Sequence, residues 1–229
     1  MPNSGRIRLA ASASILLMLA VVAASAYIRV SGGIDVQFAR GLHRATASSV
    51  ALLVSALMLL AWRQPRLRIA AIAAFVLMLA LSAVGWITGT TPPRAAAFFN
   101  QSGGFLLTAL LAWIYGRAAG QSAAAPERSF ASAVLVLASL QAMFGGTLAI
   151  FAPQASVAVL IAHSASGIAA AAAVAALGLR YAACALLVPA LGVVSAIYPG
   201  AAALSGHALA GALLLAAAAH AQARALTTA

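Results

Sequence analysis

The chain has 229 residues, of which 65% are hydrophobic and only 7% are charged, a composition that excludes an ordinary soluble domain. All 13 basic residues are arginines, and they face only Asp35 and Glu127, so the net charge is +11. The arginines stand mostly in short segments between apolar runs, which indicates membrane topology and argues against nucleic-acid binding. The single cysteine, Cys184, excludes an internal disulfide and a thiolate metal cluster.

Apolar runs of membrane-spanning length recur along the chain, and each is near the ~20 residues that a bilayer requires. They predict an all-α, polytopic membrane protein with eight transmembrane helices, at 9–28, 45–62, 69–89, 96–116, 130–151, 157–178, 181–198 and 203–221. The lipid bilayer is therefore the first predicted partner.

The arginines are unevenly divided between the two predicted sides of the membrane. One side carries nine, namely Arg6, Arg8, Arg63, Arg66, Arg68, Arg117, Arg128, Arg180 and Arg224; the other carries Arg29, Arg40, Arg44 and Arg94. The positive-inside rule then predicts that both termini are cytoplasmic, in a membrane of the bacterial inner-membrane type.

A polar segment divides the chain into an N-terminal half at 1–118, a cytoplasmic linker at 119–129 and a C-terminal half at 130–229. The halves share an internal spacing, because Gly85 precedes Asn100 by fifteen residues and Gly192 precedes His207 by the same distance. This repeat predicts two pseudo-symmetric four-helix bundles.

Three of the four histidines fall near the same predicted face of the membrane. His43 is predicted to begin the second span, His163 lies early in the sixth, and His207 begins the eighth, while Asn100 sits at the same level of the fourth. Polar side chains in membrane helices commonly bind ligands. His220, at the other end of the last span, is interpreted as an interfacial side chain with no ligand role.

The pattern around these histidines is typical of a haem site. His163 and His207 are each followed four residues later by a glycine, Gly167 and Gly211. Residues four apart share a helix face, so a small residue there leaves room for a flat porphyrin beside an axial histidine. We therefore predict that His163 and His207 bind haem iron, and that His43, followed by Ala47, is a further candidate ligand.

Arginines on the outer side would complete such a site. Arg29, Arg40 and Arg44 lie close to His43 against the topological bias, and arginine pairs well with haem propionates. Several alternatives remain open. Each histidine could instead bond a neighbouring helix, and Arg29 and Arg44 could be interfacial anchors. A zinc or copper site bound by histidines alone is less favoured, because Asp35 is the only acidic residue near this layer.

Several short motifs together resemble the heme A synthase family across nearly the whole chain. They are the His43-Arg44 pair that opens the second span, and a glycine, proline and histidine pattern in each of the last two hairpins. The first of these patterns is Leu140-Gln141, Gly145-Gly146, Pro153 and His163, and the second is Gly192, Pro199 and Gly206 to Ala210.

The resemblance implies an oxidoreductase that converts the methyl group of haem O into the formyl group of haem A for cytochrome oxidase. It implies haem b between His163 and His207, and a substrate haem in the first half between a catalytic His43 and the position of Asn100. It also implies partners, namely a haem O-producing enzyme or oxidase assembly factors. The chain departs from the family at Asn100, a poor iron ligand, and at Arg40, where the family usually has glutamate.

Three functional hypotheses follow. The first is a haem A synthase-like enzyme. The second is a haem b-binding protein for electron transfer or oxidase assembly, without the synthase activity. The third is a membrane scaffold without a cofactor, in which the abundant glycines and alanines serve helix packing alone.

Overall fold

The computed structural model describes residues 4–31, 34–120, 126–151 and 156–226. These residues form eight α-helices: α1 (Ser4–Val30), α2 (Ile34–Ala61), α3 (Pro65–Thr88), α4 (Arg94–Ala118), α5 (Arg128–Phe151), α6 (Val157–Ala176), α7 (Leu179–Ile197) and α8 (Ala201–Ala225). All eight are long and apolar enough to cross a membrane. The predicted all-α polytopic fold is therefore confirmed.

Helix α2 begins eleven residues before the predicted start of the second span, at Ile34 instead of residue 45. The prediction that His43 begins this span was wrong, since His43 is the tenth residue of the helix. The cause is the helical spacing of the extension, which buries Val36 and Ala39 on the side that also buries Val50. Average hydropathy misses such a segment because it also contains Asp35, Gln37 and Arg40.

The helices pack as two rings of four. In the first ring α1 contacts α2, α2 contacts α3, α3 contacts α4 and α4 contacts α1; α5 to α8 repeat this order. Contacts of α8 with α4 and α1, and of α4 with α5, join the rings. This is the pairing expected from a two-fold relation between the predicted halves, 1–118 and 130–229. Part of the predicted linker, 119–129, lies outside the described residues.

Helices α4 and α8 form the centre of the molecule. Half of the most apolar stretch of each is buried, against 17–33% for the other six helices. Small side chains permit this close packing. At Gly116 of α4, an added Cβ would lie 2.9 Å from Cβ of Ala223 and 3.0 Å from the carbonyl oxygen of His220 in α8.

One contact breaks the two-fold pattern of helix pairing. Helix α6 contacts α8, whereas no contact joins α2 and α4, their counterparts, among the residues described. Helices α6 and α8 are therefore in contact across the second ring. The two histidines of the predicted haem site lie on α6 and α8.

Candidate functional site

The structure brings His163 and His207 together. Each is the seventh residue of its helix, α6 or α8, so the two side chains lie at the same depth. Their Nε2 atoms are 3.4 Å apart, and the ring centroids are 5.7 Å apart with an interplanar angle of 87°. Two imidazole nitrogens that face each other can be bridged by a metal ion bound to both.

The backbone of α5 fixes the orientation of His163. Its Nδ1 lies 3.3 Å from the carbonyl oxygen of Gln141. Because a carbonyl oxygen can only accept, Nδ1 must donate its hydrogen, and the neutral ring then presents a lone pair at Nε2. Histidine ligands of metals are commonly oriented in this way.

Within the described ranges, His207 packs against α7 without a matching hydrogen bond. The backbone of Val188 lies beside its ring, and its Nδ1 is buried without a hydrogen-bond partner in the part of the chain described. As with His163, the ring directs its Nε2 atom toward the other histidine.

A glycine on the preceding helix supports each histidine ring. A Cβ at Gly145 would lie 2.9 Å from Cε1 of His163, and a Cβ at Gly192 would lie 3.3 Å from Cε1 of His207. Each glycine is four residues beyond the backbone group next to the histidine, Gln141 or Val188. The α5–α6 and α7–α8 hairpins thus build the same unit twice.

The first hairpin contains a related unit with one change. His43 Nδ1 lies 3.1 Å from Oγ of Ser25, and the backbone of Val21, four residues earlier, lies beside the ring. Ser25 precedes His43 by eighteen residues, as Gly145 precedes His163. A serine therefore occupies the place of the supporting glycine, and His43 bonds a neighbouring helix, which was one of the alternatives open from the sequence.

Asn100 occupies the position in α4 that His163 and His207 occupy in their helices, but within the described ranges no glycine of the preceding helix packs against it. It is the seventh residue of α4 and follows Gly85 by fifteen residues, but a Cβ at Gly85 would meet nothing within 4 Å. The buried Oδ1 of Asn100 has no hydrogen-bond partner among the described residues. It lines a pocket of about 20 Å³ with Ser25 and Arg29, and His43 does not line that pocket.

A much larger cavity, of about 690 Å³, surrounds His163 and His207. It lies among α5, α6, α7 and α8 and reaches α1 and α4, and its volume is typical of a cofactor site. Its lining includes predicted site residues Gly167, Gly211 and Arg29. Arg44 is exposed and contributes nothing to this lining.

The cavity wall contains a residue that sequence reasoning named only as part of a motif. The Gln141 side chain is 3% exposed and lies between Gly167 and Gly211. Its Cγ is 3.7 Å from a Cβ placed at Gly167, and its Oε1 is 3.9 Å from one placed at Gly211. Part of the space assigned to a porphyrin beside these glycines is therefore filled by an amide. The available signal was a lone glutamine within an apolar helix, four residues before Gly145.

The donor set of the cavity suits a cofactor that brings most of its own metal ligands. No group of three or more His, Cys, Asp or Glu side chains occurs within the described ranges, as a structural zinc site would require. Two opposed imidazoles are, however, sufficient for haem, whose porphyrin supplies the four other iron ligands. The pair, the cavity and the supporting glycines together fit haem.

His220, predicted from the sequence to be an interfacial side chain with no ligand role, packs against neighbouring helices. It is half-buried at the other end of α8, and its Nδ1 lies 3.0 Å from Oη of Tyr181 in α7. Its ring also packs 5.8 Å from the ring of Tyr115 in α4. His220 thus joins three helices far from the histidine pair.

Comparison with protein-family models, with curated proteins and with solved structures finds no match to this chain. The chemistry of the site therefore rests on its own residues. Among these, the facing pair of His163 and His207 is the most specific feature.

Proposed function

We propose that this protein is an integral membrane haem protein that binds haem b between His163 and His207. The observation that carries the proposal is the 3.4 Å separation of their Nε2 atoms inside a cavity of about 690 Å³. Metal–imidazole bonds are about 2.0–2.1 Å for zinc, and similar bonds to iron would place the nitrogens about 4 Å apart. The rings need to separate by only a fraction of an ångström.

Each part of the cavity would have a defined task. His163 and His207 would be the axial ligands, with the Gln141 carbonyl and Gly145 holding the His163 ring. Arg29, which lines the cavity, would pair with a propionate. When bound, the haem supplies a one-electron redox centre.

Two histidines that both bound the haem would favour electron transfer or a role in oxidase assembly over oxygen chemistry, because the iron would have no free position. The location proposed is a bacterial-type inner membrane with both termini cytoplasmic. The uneven division of the 13 arginines supports that orientation.

A haem A synthase-like activity on haem O is the second candidate. The observation that favours it is that Arg29 lines both the large cavity and the small pocket of Asn100, so a first-half site would adjoin the haem b site. Substrate binding would have to widen that pocket well beyond its 20 Å³ and bring His43 into its lining.

The test is the oxidised and dithionite-reduced absorbance spectrum of detergent-purified protein, with extraction and identification of the haem. Sharp bands of a six-coordinate haem with haem b alone would support the first candidate. Haem O or haem A beside haem b would support the second. Colourless protein from haem-replete cells would overturn both and leave a membrane scaffold.

Product analysis separates the two candidates further. The protein is expressed in cells that make haem O but lack another haem A-forming enzyme, and total haems are extracted. Haem A would identify the enzyme. Unchanged haem O beside protein that carries haem b would identify the electron-transfer or assembly protein.

A further inference from the structure

We propose that haem enters the cavity sideways from the lipid bilayer, through a cleft between α6 and α7. This inference rests on the proposed haem site and adds to it the route by which the ligand arrives. The evidence is the exposure of the cavity wall on these two helices, which contrasts with the buried wall on the opposite side of the cavity.

The cleft is formed by residues that both line the cavity and are exposed at the protein surface: Leu160, Ser164 and Ile168 of α6, and Val193 and Ala196 of α7. Leu160, Ile168 and Val193 are 53%, 66% and 60% exposed. The members on α6 are four residues apart and those on α7 are three apart, so each set lies along one face of its helix. A helix face that borders the cavity and is also exposed marks an opening in the cavity wall.

The wall on the opposite side of the cavity is closed. Ala26 of α1, Phe105 of α4 and Ala142 of α5 line the same cavity, and they are 5%, 6% and 7% exposed. Helices α1, α4 and α5 make the contacts that join the two rings, whereas α6 and α7 contact no helix of the first ring among the residues described. The cleft therefore faces away from the centre of the molecule, where lipid surrounds a membrane-spanning bundle.

The α6–α7 hairpin is packed at one end and open at the other. Near the turn that joins the helices, Val174, Leu177, Tyr181 and Ala185 are buried in one core cluster. The cleft begins beyond them, and Pro189 stands inside α7 at this boundary, where it lines the cavity. Because proline cannot donate the intrahelical hydrogen bond, it commonly bends a helix. A proline at this place favours divergence of α7 from α6 toward the open end.

The depth and composition of the cleft suit acyl chains better than water. Ile168 is the twelfth residue of α6, so it lies about 16 Å along the helix from its start. The hydrocarbon layer of a bilayer is about 30 Å thick, which places Ile168 near its middle. The other members of the cleft are also apolar, with the exception of Ser164. The cleft thus connects the cavity with the interior of the bilayer.

Arg29 agrees with the orientation in which haem would enter. Haem in a bilayer keeps its charged propionates near the membrane surface, because burial of an unpaired charge is costly, and its apolar ring lies among the acyl chains. The cavity has the same order, with Arg29 in the last turn of α1 and His163 about 9 Å along α6 from its start. A sideways step therefore requires neither rotation of the haem nor passage of the propionates through the hydrocarbon layer.

A second opening at the ends of the helices provides the competing route. Val30 of α1 lines the cavity and is 49% exposed, and the exposed Ala149 of α5 lines it as well. This opening adjoins Arg29 and the membrane surface, so haem that arrives from water would pass here. Substitutions at the two openings distinguish the routes.

The test measures the rates of haem association and dissociation for protein reconstituted in lipid nanodiscs. Haemin is mixed with haem-free protein, the change in Soret absorbance gives the association rate, and transfer of bound haem to excess apomyoglobin gives the dissociation rate. Val193→Trp and Ile168→Trp narrow the cleft. Both rates should fall about tenfold while the dissociation constant changes little, because an obstructed entrance raises the barrier equally in both directions.

Matched controls come from the same two helices. Leu186 of α7 and Ile161 of α6 are 68% and 62% exposed but do not line the cavity, so Leu186→Trp and Ile161→Trp should keep the wild-type rates. Val193→Ala and Ile168→Ala widen the cleft and should raise both rates. These two variants keep the test decisive if a tryptophan prevents folding.

Three results would overturn the entrance and leave the proposed function standing. The first is wild-type rates in all cleft variants. The second is slower exchange in Val30→Trp or Ala149→Trp alone, which would assign entry to the helix ends. The third is weaker binding in the cleft variants without slower association, which would make these residues haem contacts. Wild-type protein that binds no haem would instead overturn the proposed function.

Discussion

Nε2 of His163 and Nε2 of His207 lie 3.4 Å apart, although 44 residues separate them in the chain. Each ring rests on a glycine of the preceding helix, and each lies beside a backbone group four residues before that glycine. The α5–α6 and α7–α8 hairpins therefore meet at the two Nε2 atoms.

Removal of either histidine of the pair should remove the haem. His163→Ala and His207→Ala should each yield protein without the six-coordinate haem spectrum, since one imidazole alone leaves an axial position empty. His43→Ala and Asn100→Ala are the matched controls and should keep the haem. Haem loss in the controls and retention in the first pair would show that the halves are assigned the wrong way round.

The supporting glycines should be sensitive to a single methyl group. Gly145→Ala places a Cβ 2.9 Å from Cε1 of His163, and Gly192→Ala places one 3.3 Å from Cε1 of His207. We expect haem affinity to fall about tenfold in Gly145→Ala and less in Gly192→Ala, because the first requires the larger displacement. Haem titration measures this, and Gly85→Ala, whose Cβ would meet nothing within 4 Å, should match the wild type.

Arg29 should stabilise bound haem without being an iron ligand. Arg29→Leu is expected to weaken haem binding about tenfold or more, the effect of losing a charge-assisted hydrogen bond, while the six-coordinate band positions stay unchanged. Arg44→Leu is the control, because Arg44 is exposed and does not line the cavity. Equal losses in both variants would argue for a general effect of surface charge instead of a propionate contact.

The interface between α4 and α8 should be sensitive to added side-chain volume whether or not haem is bound. Gly116→Ala would bring a methyl group to 2.9 Å from Cβ of Ala223 and is expected to cost about 1–3 kcal/mol of stability through overpacking. Thermal unfolding in detergent measures this. Gly41→Ala, at an exposed position with nothing within 4 Å, should be neutral or slightly stabilising, because alanine favours helix over glycine.

The start of α5 should show a pH-dependent contribution from Glu127. Its carboxylate accepts hydrogen bonds from the backbone N–H groups of Ser129 (2.8 Å) and Phe130 (2.9 Å) and from the Ser129 hydroxyl. These bonds hold the pKa of Glu127 below its ordinary value, and the bond from the Ser129 hydroxyl has the largest effect. The folded state therefore favours the ionised form, and this stabilisation is present above the unfolded-state pKa and is lost as pH falls through the folded-state pKa.

The measurement is the thermal midpoint of wild type and Glu127→Gln across the acidic range. The midpoint of Glu127→Gln should be lower than that of the wild type at neutral pH, and the two should converge in acid. The difference should be small, because Glu127 is fully exposed. A difference that persists unchanged at low pH would exclude ionisation of Glu127 as its cause.

The sequence by itself determined the all-α membrane fold, the eight helices and the glycine-to-histidine spacing in the second half. These follow from local rules, because a membrane span must be apolar along its whole length and must satisfy its own backbone hydrogen bonds. The start of α2 was missed because this rule detects only uninterrupted apolar runs. Its first turns contain Asp35, Gln37 and Arg40, which lower the mean hydropathy of the segment although Val36 and Ala39 are buried.

Only the tertiary structure decided which polar groups meet. His163 was brought to His207 because α6 and α8 approach each other, whereas α2 and α4 do not, and so His43 bonds Ser25 instead of facing Asn100. The same packing placed the Gln141 amide between two glycines of other helices. Helix rotation and close approach depend on the fit of small side chains across whole interfaces, which no local pattern encodes.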